Sequence, residues 1–95
     1  MKLWLDDLRP APTGYETAKS VNEAIRLILE AENKHVVIEI LELDHDLGDY
    51  SKDGGDAIKL LDWLAERGTF YPIRVHTANP IGRANMERII KRFWK

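Results

Sequence analysis

The chain has 95 residues, enough for one small domain spanning 1–95 and not for two. About 44% of them are hydrophobic, which allows a real core, while a net charge of −2 and a pI near 5.9 offer no basic excess for duplex DNA or an anionic membrane. Without cysteine, disulfides and thiolate metal sites are excluded. A nucleotide or a short RNA end needs only a few cationic groups and stays open. The opening residues, MKLWLDD, lack the apolar stretch of a signal peptide, and no segment approaches the roughly 20 apolar residues of a membrane span. A cytoplasmic address is the expectation.

In chain order, KLWL at 2–5 predicts a short strand ended by Asp6 and Asp7. RPAPTG at 9–14 is a loop, because its prolines and glycine oppose a helix. YETAK at 15–19 is a second short strand. Ser20, with Glu23 three residues on, marks a helix start. Val21, Ala24, Ile25, Ile28 and Leu29 form one stripe of that helix, which should end near Asn33. HVVIEILEL at 35–43 is rich in β-branched residues and predicts the central strand. LDHDLGDYSKDGG is a loop. DAIKLLDWLAERG at 56–68 is a second helix with Ala57, Ile58, Leu61 and Leu64 inward and Gly68 as its stop signal. YPIRVHTA at 71–78 is the last strand. Asn79-Pro80 breaks it, and GRANMERIIKRFW at 82–94 closes the chain as a helix with Met86, Ile89, Ile90 and Phe93 inward.

This alternation implies right-handed parallel crossovers and an α/β sheet. Ligands of such sheets bind beyond the carboxyl ends of the strands. Three sequence-distant polar clusters fall on that edge: Asp6-Asp7, Asp44-His45-Asp46, and His76-Thr77-Ala78-Asn79. Any one cluster alone reads as a turn or cap. Together they place several carboxylates close enough to repel unless something neutralises them. A hard divalent cation with oxygen ligands, Mg²⁺ or Mn²⁺, does so, with Asp6, Asp7, Asp44 and Asp46 as its candidate ligands. Imidazole as a group suits proton transfer near neutral pH, which makes His76 and His45 candidates for that role beside Asp44. Arg9, Asn79 and Arg83 are candidates to hold a phosphate, Asn79 and Arg83 at the amino terminus of the last helix. His35 and the three tryptophans read as structural.

Asp6-Asp7, a strand-end Asp44 and a strand-end Thr77 form a pattern that resembles response-regulator receiver domains, with Gly55 in the place of the glycine before the receiver's third helix. The resemblance implies a truncated, flavodoxin-like parallel sheet of four strands in the order 2-1-3-4 with three helices. It also implies Mg²⁺ on the acid pair and a phosphoryl-accepting role for Asp44, assisted by Thr77. The receiver's first helix, fifth strand, fifth helix and phosphate-contacting lysine have no counterpart. WLDDLRPAP, LDHDLGD and HTANPIGRANM are similar to a narrower offshoot, the cyclic-phosphate processing receiver-like proteins. That likeness implies a metal-assisted phosphoesterase acting on a cyclic phosphate of a nucleotide or an RNA terminus. The alternatives are a phosphoacceptor signalling domain and a non-catalytic module that binds a nucleotide or a protein.

Four geometric expectations follow. A carboxylate oxygen of Asp6 or Asp7 should lie within about 6 Å of one of Asp44. Because strand side chains alternate, Glu42 should pair with Arg74 if Asp44 neighbours His76. RPAPTG must descend the sheet without a helix, so that 2–5 and 15–19 run parallel. The helix at 82–94 should cover the face opposite the other two, where bare Leu, Ile and Val would lose about 25 cal/mol per Å². The rival outcome sets it beside the helix at 56–68 and buries the bare face in a homodimer.

Overall fold

The computed structural model describes residues 1–94. Four strands, β1 (Lys2–Leu5), β2 (Tyr15–Ala18), β3 (Ile40–Leu43) and β4 (Ile73–Val75), form one parallel sheet in the order β2-β1-β3-β4. Three helices, α1 (Val21–Asn33), α2 (Ala57–Arg67) and α3 (Pro80–Phe93), and a 3₁₀ turn at Gly48–Lys52 complete the chain. This is the expected α/β, flavodoxin-like arrangement. Among the described residues, no helix is long and apolar enough to cross a membrane.

The helix ends follow local chemistry. Ser20 accepts a hydrogen bond from the Glu23 amide and Asp56 accepts one from that of Ile58, each satisfying a donor that the first turn leaves free. Gly68, in the left-handed region at φ 71°, ends α2. Asn79 caps α3, and Pro80 occupies its first turn, where a missing N–H costs nothing. The last helix thus begins at Pro80, two residues before the expected start.

β2 stops one residue early, at Ala18, and two other strands are shorter by several residues than the sequence suggests. The β-branched run 36–39 is not strand, although Val36 and Val37 favour it. Its would-be partner, β1, begins at Lys2. The Met1 amine donates to the Val37 carbonyl and the Glu39 amide donates to the Met1 carbonyl, while the β1–β3 ladder itself starts at Lys2 and Ile40. His35, at φ 57°, turns the chain out of α1 instead of opening a strand. The strand expected over 71–78 is reduced to Ile73–Val75, although the His76 amide still donates to the Leu43 carbonyl.

Alternation along the strands decides what covers each face. Leu3, Leu5, Leu41, Leu43 and Ala18 point to one side and are completely buried with Ile28 of α1, Leu60, Leu61 and Leu64 of α2, and Met86 of α3. Each such leucine is worth about 2 kcal/mol of burial. All three helices therefore share one face. Ile89 and Ile90 pack against this same core, and Phe93 borders a surface hollow together with Asp62, Ala65 and Glu66 of α2. This corrects the expectation that α3 crosses to the opposite face.

The premise behind that expectation fails with it. The helix-free face carries Lys2, Trp4, Tyr15, Thr17, Ile40, Glu42 and Arg74, so Ile40 is its one aliphatic strand residue, among charged, hydroxyl and aromatic side chains. The loop at 9–14 does part of a helix's work. The Trp4 indole N–H donates to the Arg9 carbonyl at 3.0 Å, Trp4 is only 8% exposed, and Tyr15 meets its ring edge-on at 6.0 Å. The loop descends without a helix, and β1 and β2 run parallel as expected.

Candidate metal centre

Asp6 follows β1 and Asp44 follows β3, and β1 and β3 are neighbours in register. Both carboxylates thus arrive at one point of the carboxyl edge. Asp6, Asp7 and Asp44 each offer an oxygen, and these oxygens all lie within 4.8 Å of one another. The expected approach of the acid pair to Asp44 is met. In an Mg²⁺ octahedron, oxygens on adjacent vertices are about 3 Å apart and those on opposite vertices about 4.2 Å, so the three draw inward to share an ion. An all-oxygen, carboxylate-rich set suits Mg²⁺ or Mn²⁺.

The three acids are held differently. Asp6 is buried. Its Oδ1 accepts from the Leu8 and Arg9 amides, at 2.9 and 3.0 Å, in a turn that fixes the carboxylate. Its Oδ2 faces His76 Nε2 at 3.1 Å and Arg9 Nε at 3.4 Å. Asp44 Oδ1 accepts from the following amide of His45 at 2.8 Å, while Oδ2 lies 3.9 Å from the Arg9 guanidinium. Asp7 reaches toward the 3₁₀ turn, where a Cβ on Gly48 would stand 2.6 Å from its Oδ2. Gly48, at φ 55°, is the residue that lets the turn approach this carboxylate.

Asp46 is not a member of this group. Its Oδ1 faces His45 Nδ1 at 2.9 Å and its Oδ2 accepts from Asn79 Nδ2 at 3.0 Å. Those bonds, Asn79's first and then His45's, hold its pKa below the ordinary carboxylate value. His45 lies on the other side of the strand end. Its ring packs where a Gly82 Cβ would be, with Nε2 3.8 Å from Asp56. His45, Asp46 and Asn79 therefore fasten the β3 loop to the start of α3.

His76 sits directly behind the trio. Its ring lies flat on Trp4, with centroids 3.9 Å apart. Nε2 meets Asp6, and the buried Nδ1 has no hydrogen-bond partner, with Glu42 Oε2 at 3.8 Å. Both ring nitrogens thus face carboxylates. Glu42 pairs with Arg74 at 2.9 Å in the expected register and also accepts from Tyr15 at 3.2 Å. Burial and the bond to Glu42 push the Tyr15 hydroxyl above its usual pKa.

The phosphate candidates divide. Arg9 stands at the trio, half exposed. Thr77 is buried just past β4, its hydroxyl accepting from the Asn79 amide. Asn79 Oδ1 accepts from the Ile81 and Gly82 amides, and the Arg83 amide donates to the Asn79 carbonyl. Pro80 has no N–H, so the first turn of α3 offers no open donor. The Arg83 guanidinium turns back onto the Thr77 carbonyl at 3.2 Å and Glu87 at 3.6 Å. Sequence reasoning assigned no site role to Trp4, Glu42 or Gly48. The glycine inside LDHDLGD was the one visible signal, since a turn packed on a carboxylate calls for a residue without Cβ.

A family model for the cyclic-phosphate processing receiver domain matches residues 1–92. No curated protein and no solved structure matches the chain.

Proposed function

Since the chain belongs to the family of cyclic-phosphate processing receiver domains, we propose that it is a metal-assisted phosphoesterase whose substrates are cyclic phosphates, on a nucleotide or an RNA terminus. The observation that carries this reading is the meeting of Asp6, Asp7 and Asp44 within 4.8 Å, with the Arg9 guanidinium beside them. These three acids would hold Mg²⁺ or Mn²⁺. The ion supplies charge neutralisation at the phosphoryl oxygens and a more acidic water. Arg9 offers an exposed fork of donors to the phosphate, and the Thr77 hydroxyl offers one more. His76 keeps Asp6 oriented and acts on the reaction through that carboxylate. The Asn79 cap and Asp46 fix the loop between β3 and α3 rather than touching substrate.

The test is turnover of a 2′,3′-cyclic nucleotide with Mg²⁺ or Mn²⁺, followed by loss of turnover in Asp44→Ala. Binding of the cyclic nucleotide without turnover would support the non-catalytic module instead.

A phosphoacceptor role for Asp44 is the second reading. It is favoured by the position of this carboxylate, at the end of β3 beside the acid pair. A stable phosphoryl mass on Asp44 after incubation with acetyl phosphate and Mg²⁺ would select it over hydrolysis.

A further inference from the structure

We propose that the Arg9 side chain is the resident counter-cation of the carboxylate site, and that it leaves the site when a divalent ion enters. The inference rests on the reading of Asp6, Asp7 and Asp44 as a cation site. Arg9 Nε lies 3.4 Å from Asp6 Oδ2 and its terminal nitrogen 3.9 Å from Asp44 Oδ2. One guanidinium thus spans two of the three acids. An arginine cannot relieve crowding by losing its proton. Sharing the same oxygens with a doubly charged ion would bring like charges together, so the side chain has to move.

The local structure permits that motion and confines it. The Arg9 amide donates to Asp6 Oδ1 at 3.0 Å, and the Arg9 carbonyl accepts from the Trp4 indole at 3.0 Å. Pro10 follows and restricts the backbone further. The main chain is pinned on both sides of Cα, while the side chain is 49% exposed. The guanidinium therefore pivots about a fixed point and stays within reach of the site. A displaced Arg9 is free for a phosphate, so ion and phosphate assist each other's binding, and by linkage the assistance is mutual.

The experiment is Mg²⁺ titration by calorimetry on the wild type, Arg9→Ala and Arg9→Gln, with inorganic phosphate absent and then present. The Arg9 Nε–H resonance of the wild type is followed alongside. Without phosphate, both variants should bind Mg²⁺ about tenfold more tightly than the wild type, toward the lower end of typical coupling between sites. Their metal-free forms should melt at lower temperature, and the wild-type Arg9 resonance should shift as Mg²⁺ is added. Phosphate should tighten Mg²⁺ binding more in the wild type than in either variant. Wild-type binding with equal or weaker affinity in both variants overturns the role of Arg9 and leaves the cation site standing. If no form binds Mg²⁺, the cation reading itself fails and the inference falls with it.

Discussion

His76 lies on Trp4 with the two ring planes only 7° from parallel, and the stack aims the imidazole edge at Asp6. Removing the ring takes away a donor to a buried carboxylate and leaves a gap on the indole. His76→Ala should cost about 2 kcal/mol in urea unfolding and weaken Mg²⁺ binding. His76→Gln, whose amide still donates, should recover part of the ion affinity. Wild-type Mg²⁺ affinity in His76→Ala would show that Asp6 does not depend on this histidine.

Two glycines with positive φ separate backbone strain from site geometry. Gly48 and Gly68 have φ of 55° and 71°, and an alanine at either costs roughly 1–2 kcal/mol. A Cβ at Gly68 meets nothing within 4 Å, whereas one at Gly48 meets Asp7 Oδ2 at 2.6 Å. Both substitutions should lower the melting temperature, and only Gly48→Ala should also lose ion affinity. Equal ion affinity in the two variants would mean that Asp7 moves aside without consequence.

Asp53 clasps the 3₁₀ turn to the start of α1. Its oxygens accept from Ser20 Oγ at 2.7 Å and Asn22 Nδ2 at 3.0 Å. Those two bonds, Ser20's first, hold its pKa below the ordinary value of 3.8. The unfolded chain therefore takes up this proton before the folded one does. The stabilisation is fully present above the ordinary pKa and fades as the pH falls through the lowered native value. Asp53→Asn should be less stable than the wild type at pH 7, with the gap closing as the pH falls from the ordinary value of 3.8 through the lowered native one. Urea midpoints at both ends of that range check it. A gap that widens toward acid would contradict the clasp.

The Glu42–Arg74 pair can be weighed by a double-mutant cycle. Glu42 is buried, but the Arg74 side chain is 68% exposed, and solvent screens the attraction. Coupling between Glu42→Gln and Arg74→Ala should be about 0.5–1 kcal/mol. A coupling indistinguishable from zero would reduce the pair to a consequence of register.

The parallel sheet and the three helices were legible because they depend on alternation, period and caps that are local in sequence, whereas the strand order was implied by the resemblance to receiver domains. The Glu42–Arg74 contact followed from register alone. The lengths of β3 and β4 were not legible, because a strand ends where its partner ends. Val36 and Val37 have strand-forming side chains, but the ladder with β1 starts at Lys2 and Ile40 and leaves them outside the sheet. The side taken by α3 was misjudged for a different reason. The period-2 pattern sends Leu3, Leu5, Leu41 and Leu43 one way and Trp4, Ile40 and Glu42 the other, so the second face holds far less aliphatic surface than a covering helix needs. At the site, Asp6, Asp7 and Asp44 were readable from strand ends. The orientation of Asp46 was not, since its partners, His45 and Asn79, compete through side-chain hydrogen bonds that spacing does not encode.

The central position of β1 ties assembly of the site to the folding reaction. Every ladder in the sheet is parallel, and none closes through a tight hairpin. The ladder that joins Asp6 to Asp44 pairs Lys2 with Ile40, a span of 38 positions. Closing so large a loop is slow and is repaid only when the core forms. No fragment containing β1 and β2 alone brings Asp44 to the acid pair. Amide exchange at Asp44, whose N–H donates to the Leu5 carbonyl, should therefore be governed by global opening rather than local fraying. The acidic trio comes together with the native sheet and separates with it.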